Sequence, residues 1–466
     1  MTYPAPKIFL FILFCFCSLS CSESNTRSEE ASTSSVKPVE NAIAQEKTHL
    51  TPQEQKEDIL QLIQLMDSDW AYKEEKALDT AALKKEFLQR VEQDLTPRAF
   101  FPVLQEIVAR TKDGHSGIAL PNYEQYSYVI PVYIEEVDGR FWVRKLLSTF
   151  SMQAAQLQVG DELLSIDGQS LPERIKERQK FIPASSQHDL KVKALREILG
   201  VTHKNNTVKV KRDGKVFNLT VAAESNNPFL WTNIFADLDA SVINKDVFYV
   251  KIPSFLIYVD KGEQEIQRRS EEFTRVFNQA SSYSNLILDL RDNWGGYVNT
   301  AAEISKYLLP APFDYGHQRF RTLKAFKVLY GSGKITDTKD WAMLKPLKVE
   351  KDERIKPYSG QLFVLINGAS FSSSDGLSAV LKDLHPNVTF VGEPTGAGSG
   401  VPQVLGELKH SKAVFTTSTS LMYSPHQRLI EGVGTQPDIP VQWTEKAIKT
   451  GQDPFVEAVL NKVKGL

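Results

Sequence analysis

A cluster of serines follows an apolar segment and is the first candidate for chemistry in this chain. Leu362 to Ile366 has the composition of a buried strand, and Asn-Gly-Ala-Ser-Phe-Ser-Ser-Ser-Asp follows at residues 367–375. Small residues at a strand-to-helix turn let one side chain stand clear of the backbone. The free amides of the next helix can then stabilise an adjacent oxyanion. The turn could therefore present a serine nucleophile, although such clusters more often only cap a helix.

A serine hydroxyl is a weak nucleophile until a base takes its proton, and the eight histidines are candidates for that base. His115 stands out, because it lies in Thr-Lys-Asp-Gly-His-Ser-Gly at residues 111–117, just after a predicted helix. A lone loop histidine is usually exposed and idle. The histidines held in reserve are His317, His385, His410 and His426.

Three glycine-containing motifs accompany the serine cluster. Asp-Leu-Arg-Asp-Asn-Trp-Gly-Gly, residues 289–296, puts paired glycines after another predicted buried strand, where a backbone amide could approach a ligand closely. Gly-Glu-Pro-Thr occupies residues 392–395, and Glu-Gly-Val-Gly-Thr-Gln-Pro-Asp occupies residues 431–438. Each motif is weak alone.

Taken in order, the four motifs resemble the tail-specific, or C-terminal-processing, serine peptidase family, which also contains the tricorn core proteases. The resemblance covers residues 110–445. It implies a multi-domain α+β chain with a crotonase/ClpP-like α/β spiral catalytic domain. In the family's elbow pattern Ser-x-Ser-x-Ser-acid the middle serine is the nucleophile, which is Ser372 here.

The resemblance also assigns the remaining roles. One branch uses a lysine shortly after Gly-Glu-Pro-Thr, but no lysine occurs here before Lys409, and Lys382 is expected on a solvated helix face. The tricorn-like branch uses a histidine, a serine beside it and a distant glutamate. These match His115, Ser116 and Glu431, although the tricorn serine precedes its histidine.

The expected oxyanion donors are the amide of Ser373 and that of Gly295 or Gly296, between which the sequence does not choose. An unperturbed histidine titrates near about 6.5, and a nearby Glu431 carboxylate would raise that value. Activity is therefore expected to rise through the near-neutral pH range.

The elements that must position these groups follow from the pattern of apolar residues. Strands and helices alternate from Asn244 onward, which predicts an α/β domain with parallel pairing over residues 229–466. Residues 311–358 interrupt the alternation with aromatic and basic residues, either as a lining of the site or as a plain surface loop.

Two further units are predicted upstream. Thr51 can cap a first helix, and helical spacing there and in two further helices, which start at Asp79 and Thr96, predicts a helical domain over residues 51–120. Residues 121–228 are rich in strands, and Val159 to Gly168 resembles the signature turn of PDZ domains, with a charged helical insertion at 171–200. A generic sandwich with a Gly-Asp turn is the alternative.

The N-terminus predicts export. An apolar run from Ile8 to Phe16 follows Lys7 and is too short to span a membrane, so residues 1–20 are interpreted as a signal peptide. Ser18-Leu19-Ser20-Cys21 resembles a bacterial lipobox, with Cys21 as the lipidated residue and residues 21–50 as a disordered tether. The predicted location is the bacterial cell envelope, lipid-anchored at the outer membrane on its periplasmic or surface side. An ordinary cleaved signal is the alternative.

Composition narrows the remaining possibilities. All three cysteines precede residue 22, so disulfides, thiolate metal sites and cysteine nucleophiles are excluded from the mature chain. The net charge of −2 gives no indication of nucleic-acid binding, and neither a metal nor another cofactor is expected. The predicted partner is a peptide or unfolded protein substrate, and the membrane is reached only through the lipid anchor. A non-catalytic binding protein on the same fold and an envelope scaffold built around the PDZ-like module are the rival functions.

Overall fold

The computed structural model describes residues 48–121, 123, 125–147, 156–226, 238–256, 262–322, 324–325, 327, 335–337, 341–344 and 346–465. The predicted signal peptide, Cys21 and all but the last three residues of the predicted tether lie outside these ranges. Within them, every helix is either too short or too polar to cross a membrane.

The first part of the described chain is helical, as predicted. It contains α1 Pro52–Asp69, α2 Thr80–Leu88 and α3 Pro97–Ala109, followed by the short strand β1 Gly117–Ala119. Thr51 and Glu54 form the predicted capping box, in which the Glu54 carboxylate accepts the Thr51 amide at 2.9 Å. The apolar faces of these helices share one core with Leu408, Ala413 and Phe415 from much later in the chain. The helical segment is therefore packed onto the later region and has no separate core.

The next part is built from short antiparallel strands and two helices. Its elements are β2 Tyr128–Val129, β3 Val132–Val137, β4 Arg140–Leu146, β5 Glu162–Ile166, β6 Gln169–Ser170, α4 Leu171–Arg178, α5 Gln187–Glu197, β7 Gly200–Val201, β8 Asn205–Arg212, β9 Lys215–Ala222 and β10 Glu224–Ser225. The main sheet has the order β3-β4-β5-β8-β9, and β2 pairs with β7 and β10 in a second, smaller sheet. The charged insertion at 171–200 is helical, as predicted, and its second helix, α5, reaches the candidate site.

The last part alternates strands and helices. Its elements are β11 Asp239–Asn244, β12 Val247–Lys251, α6 Gly262–Ala280, β13 Asn285–Asp289, α7 Val298–Ser305, β14 Phe313–Asp314, β15 His317–Phe320, β16 Ile335–Asp337, β17 Ala342–Leu344, β18 Lys348–Val349, β19 Gln361–Ile366, α8 Ser373–Leu384, β20 Val388–Gly392, β21 Pro402–Glu407, β22 Val414–Ser418, β23 Ser420–Tyr423, β24 Ile439–Pro440, α9 Glu445–Thr450 and α10 Pro454–Lys464.

The central sheet of this region has the order β11-β12-β13-β19-β20-β24. Every neighbouring pair from β12 onward is parallel, which confirms the predicted parallel pairing, and β11 is antiparallel at one edge. Asp289 at the end of β13 is paired with Leu365 in β19. The paired-glycine loop and the serine turn therefore leave the sheet at the same edge, as the ends of adjacent parallel strands must.

The segment 311–358 is less irregular than predicted. It contributes short strands, and β15 pairs with both β17 and β23. At the other end of the same region, β1 pairs with β22, which brings the loop that carries His115 against the β21–β22 hairpin. The histidine and serine motifs, 257 residues apart, can meet because of this pairing.

Candidate active site

Ser372 lies at the turn between β19 and α8 with an unusual backbone. Its φ is 59° and its ψ is −122°, a left-handed φ that costs energy for a residue with a side chain. Hydrogen bonds hold the turn from both sides. The Ser372 amide donates to the carbonyl of Gly398, and the amide of Gly376 donates to the Ser372 carbonyl, each at 3.0 Å. Such strain persists only where the surroundings enforce it, as at functional sites.

His115 meets this serine directly. Its Nε2 lies 3.0 Å from the Ser372 Oγ, within hydrogen-bonding distance. If Nε2 accepts the serine proton, the neutral ring must carry its own proton on Nδ1. Nδ1 is buried and forms no hydrogen bond of normal geometry within the part of the chain that the structure describes, but the backbone carbonyl of Ser399 is near enough to favour a protonated ring. The structure thus brings together the two residues that the sequence singled out.

Asp113 organises the histidine loop, and sequence reasoning gave it no role. The carboxylate is fully buried and accepts the His115 amide at 2.9 Å. Further donors include the indole of Trp70 and the hydroxyls of Ser116 and Ser418, each at 3.1 Å. The only sequence feature that could have indicated this role is the position of Asp113 two residues before His115. Most hydrogen-bond partners of Asp113 are distant along the chain.

Burial dominates the titration of His115. Loss of solvent lowers the pKa of the ring to about 4, the Asp113 carboxylate opposes this shift, and the Lys193 ammonium adds to it. The ring packs against Phe371, with ring centres 4.8 Å apart. The His115 ring therefore stays uncharged at pH values well below 7. A general base must be uncharged in this way to accept a proton. The expected near-neutral titration is wrong because the sequence did not reveal this burial.

Among the described residues, neither Ser116 nor Glu431 is hydrogen-bonded to the His115 ring. The Ser116 hydroxyl is bound to Asp113 and to Thr417 Oγ1, the latter at 2.6 Å. The Glu431 carboxylate accepts the Ser399 amide at 2.9 Å and pairs with Lys76 at 2.8 Å. The hydrogen bonds of these side chains therefore connect them to His115 indirectly, through Asp113 and through the Ser399 backbone.

The Glu431 carboxyl group is buried, and its pKa is shifted by its surroundings. Burial raises its pKa, the Asp113 carboxylate raises it further, and the Lys76 ammonium opposes the rise. The carboxylate that raises the pKa of His115 is Asp113. The prediction from the sequence had assigned this effect to Glu431.

The paired glycines lie beside the nucleophile. A side chain at Gly295, where φ is 97°, would place its Cβ 2.7 Å from the Ser372 Cβ and 2.8 Å from the Ser373 amide nitrogen. The Gly295 amide already donates to Asn293 Oδ1 at 2.8 Å. The amide of Gly296 is therefore the better candidate to act with that of Ser373 at the start of α8. The sequence left the choice between these two glycines open.

Comparisons with known proteins identify the family of the region that carries Ser372. Residues 246–441 match the family model described as Peptidase family S41. This stretch belongs to peptidase family S41. The match is shorter than the span of 110–445 inferred from the motifs.

Curated relatives carry related names. The chain is 27% identical over 200 residues to a carboxy-terminal-processing protease of Bartonella bacilliformis, covering 43% of this chain and 40% of that protein. It is 24% identical over 284 residues to carboxyl-terminal-processing peptidase 1, chloroplastic, of Arabidopsis thaliana, covering 61% of this chain and 48% of that protein. The chain thus spans less than half the length of these relatives.

A solved structure shares the fold. The structure of mature CPAF complexed with lactacystin has a TM-score of 0.68 and 17% sequence identity, covering 89% of this chain and 98% of that one. At this identity the likeness establishes a mixed α/β multi-domain fold similar to that of S41 peptidases.

Lysines in and around the S41 domain are engaged elsewhere. Lys382 pairs with Asp438 at the far end of α8, ten residues and about 15 Å along the helix from Ser372. Lys193, on α5, donates to the Gly114 carbonyl and to Asp189, each at 2.9 Å. Lys76 pairs with Glu431. None of these ammonium groups is bonded to the Ser372 hydroxyl, and sequence reasoning missed both Lys193 and Lys76.

The reserve histidines are also placed elsewhere. His317 lies on β15, and His385 accepts the amide of Asn387 in a turn. His410 is hydrogen-bonded to Glu57 at 2.8 Å, and the His426 amide donates to Asp383. His115 is therefore the histidine that the described structure brings to Ser372.

The strand-rich unit contacts the oxyanion loop through partly buried charged residues. Arg144 on β4 lies 2.8 Å from Glu135 on β3 and 3.5 Å from Asp292, three residues before Gly295. Asp292 has a φ of 63° and accepts the side-chain amide of Asn367 at 3.1 Å. These contacts surround a cavity of about 50 Å³ between β3, α5 and the loops. They stabilise the loop that carries the candidate oxyanion glycines.

Replacing Gly295 should lower kcat by more than backbone strain alone would, because the new side chain would also clash with the site. We expect Gly295→Ala to lower kcat by about 10²-fold or more, because its methyl group would displace Ser372 and the Ser373 amide. Gly139→Ala is the matched control, since Gly139 also has a positive φ, 71°, but open space around it. Steady-state kinetics of both folded variants test this, and equal kcat values in the two would remove Gly295 from the site.

Proposed function

We propose that the chain is a serine-type endopeptidase or C-terminal-processing peptidase that cleaves peptides or unfolded proteins through an acyl-enzyme. The observation that carries the proposal is the 3.0 Å contact between His115 Nε2 and Ser372 Oγ at a strained turn. Membership of residues 246–441 in family S41 and the names of the relatives support the same reaction. A non-catalytic binding protein would have no use for this pair.

The first half of the reaction forms the acyl-enzyme. His115 Nε2 takes the Ser372 proton while Oγ attacks the peptide carbonyl carbon. The carbonyl oxygen becomes an oxyanion, which the amides of Gly296 and Ser373 stabilise. The imidazolium then gives its proton to the leaving amine as the C–N bond breaks.

The second half uses the same groups in reverse. Water enters, His115 takes one of its protons, and the hydroxide attacks the acyl carbon. The second oxyanion collapses with release of the carboxylic acid, and the proton returns to Ser372 Oγ. Asp113 supports both halves by orienting the histidine loop, and Glu431 holds the amide of Ser399, whose carbonyl lies beside His115.

The direct test is hydrolysis of a permanently unfolded reporter protein, with the fragments identified by mass spectrometry. Folded versions of the same reporter serve as the comparison. The proposal predicts fragments from the unfolded reporter. A purified, folded chain that yields none, and that also cleaves no C-terminal tail peptide, would favour the binding-protein alternative.

The pH dependence should reflect the partly buried histidine. We expect kcat/KM to stay level from neutral pH down to about 5 and to halve near 4, because His115 must be neutral and its pKa is lowered to about 4. Lys193→Gln should move this acidic limb to higher pH, since the lost ammonium no longer disfavours the charged ring. A pH–rate profile of both proteins, with folding checked at each pH, provides the test. A wild-type limb near 6.5 would contradict the assigned burial.

We also propose that the PDZ-like unit, residues 121–228, helps to present substrate, and that the catalytic domain has the crotonase/ClpP-like spiral. The edge strand β3 faces α5, the geometry in which PDZ domains add a peptide strand. In this structure the groove between them is narrow and faces the catalytic loops.

The proposed location is the bacterial cell envelope, with a lipid on Cys21 as the anchor at the outer membrane. We expect Cys21→Ala to move the protein from the membrane fraction to the soluble fraction. Fractionation of cells expressing each form provides the measurement. Equal solubility of the two forms would favour an ordinary cleaved signal.

A further inference from the structure

Asp375 is a buried acid next to the nucleophile that the mechanism above does not use. It lies in the first turn of α8, three residues after Ser372, and its side chain is fully buried. Its Oδ2 accepts the amide of Gly398 at 3.1 Å. Burying a carboxyl group costs free energy unless hydrogen bonds or charges offset the loss of water. The group that Asp375 binds therefore indicates its role.

Gly398 connects this acid to the nucleophile. The Gly398 carbonyl accepts the Ser372 amide at 3.0 Å, so one glycine is bound through its N–H to Asp375 and through its C=O to Ser372. A Cβ at Gly398 would lie 1.8 Å from the Phe371 ring, which leaves no room for a side chain. The backbone of Gly398 therefore packs closely against Phe371, the same ring that packs on His115.

The next residue touches the base. The Ser399 carbonyl acts on the His115 ring, and the Ser399 amide is held by Glu431. Residues 398–399 therefore contact both halves of the catalytic pair, and two buried acids, Asp375 and Glu431, each hold one of their amides. Loss of either acceptor would leave a buried N–H unsatisfied and free this segment to move.

The surroundings of Asp375 favour its neutral form. Burial raises the pKa of this carboxyl, the acidic neighbours Glu431 and Asp189 raise it further, and hydrogen bonds from Thr395 and Gly398 oppose the rise. Asp375 forms no ion pair with any residue in the described ranges. A neutral carboxyl offers one carbonyl acceptor and one donor, which an asparagine side chain can imitate.

We propose that Asp375 is a positioning residue, whose carboxyl oxygen fixes Gly398 and thereby holds the left-handed backbone of Ser372, with Oγ within reach of His115. The inference rests on the proposed peptidase function. It requires the acceptor oxygen of Asp375 and does not require a negative charge. A displacement of the nucleophile by about 1 Å can cost about 10²-fold in rate.

The experiment compares two substitutions of similar size. Asp375→Asn keeps an acceptor for the Gly398 amide, and we expect its kcat within about threefold of wild type. Asp375→Leu fills the same space without an acceptor, and we expect kcat to fall by about 10²-fold with KM little changed. Ser378→Ala is the control, because it removes a buried hydrogen bond to the Ser374 carbonyl one turn along the same helix, away from Gly398.

Fluorophosphonate labelling rates and thermal melting accompany the kinetics. The inference is supported if Asp375→Asn labels like wild type, while Asp375→Leu labels slowly and Ser378→Ala, at a comparable melting temperature, labels normally. Wild-type kcat in Asp375→Leu, or equal loss in Asp375→Asn and Asp375→Leu, would overturn it. If Asp375→Leu does not fold, Asp375→Asn alone decides, since a low kcat in that folded variant contradicts the role of the acceptor. An inactive, unlabelled wild type would instead overturn the proposed function.

Discussion

Ser372→Ala is expected to lower kcat for an unfolded reporter by at least about 10³-fold while the chain stays folded. Without the hydroxyl no acyl-enzyme can form, and the oxyanion amides and substrate contacts supply only residual catalysis. The measurement is steady-state hydrolysis by each purified protein, with circular dichroism as the check of folding. Full hydrolysis by this variant would remove Ser372 from the mechanism.

Ser374→Ala is the matched control for that substitution. Ser374 lies two residues further on, is fully buried, and its hydroxyl has no hydrogen-bond partner among the described residues. Its loss changes the local volume by the same single oxygen atom. We therefore expect activity within about twofold of wild type, so that a large effect at position 372 cannot be attributed to a serine lost anywhere in the turn.

His115→Gln is expected to lower kcat by about 10³-fold or more, with a smaller change in KM, because the nucleophile loses its base. His410→Gln and Lys382→Ala should remain near wild type, since their side chains are paired with Glu57 and Asp438. The kinetic constants of the three variants test the assignment. A normal kcat in His115→Gln combined with a large loss in Lys382→Ala would restore a Ser–Lys mechanism.

The same variant has a second, independent readout. The pKa of His115 is lowered from 6.5 to about 4 in the folded chain, so below pH 6.5 the unfolded state binds a proton that the folded state does not. Stability is therefore lost as the pH falls from 6.5 to 4, by up to about 3 kcal/mol from this group. His115→Gln should lose less stability over that window. Urea unfolding at pH 7 and pH 4.5 provides the comparison.

The sequence was informative where chemistry depends on a local motif. The serine turn, the paired glycines and the strands that lead into them are adjacent in the chain. The pattern of residues 285–296 and 361–375 was therefore sufficient to predict two parallel strands with their loops at one edge. The capping box at Thr51 was predictable for the same reason, because all of its partners lie within one turn of helix.

The sequence was uninformative where the site depends on distant packing. Asp113 receives Trp70 and Ser418 from segments that only the folded chain brings together. The partners of Glu431, Ser399 and Lys76, likewise come from separate motifs. A resemblance could name Glu431, but it could not show that the carboxylate holds a backbone amide and does not reach the imidazole.

The titration of His115 shows the same limit. The pKa predicted from the sequence was the ordinary histidine value near about 6.5, raised by a nearby Glu431 carboxylate. Burial against Phe371 lowers that pKa, and Phe371 lies 256 residues away, so no local pattern could reveal the contact. The three acids near the site, Asp113, Asp375 and Glu431, are similarly scattered along the chain and become one electrostatic group only on folding.

The most direct test of Ser372 activated by His115 is the rate and position of covalent labelling by a fluorophosphonate. At pH 7 the account predicts a single adduct on the peptide that contains Ser372 in the wild type. It also predicts a labelling rate lowered by about 10³-fold in His115→Gln, since the hydroxyl has lost its base. An adduct on another residue, or an unchanged labelling rate in folded His115→Gln, would contradict the account.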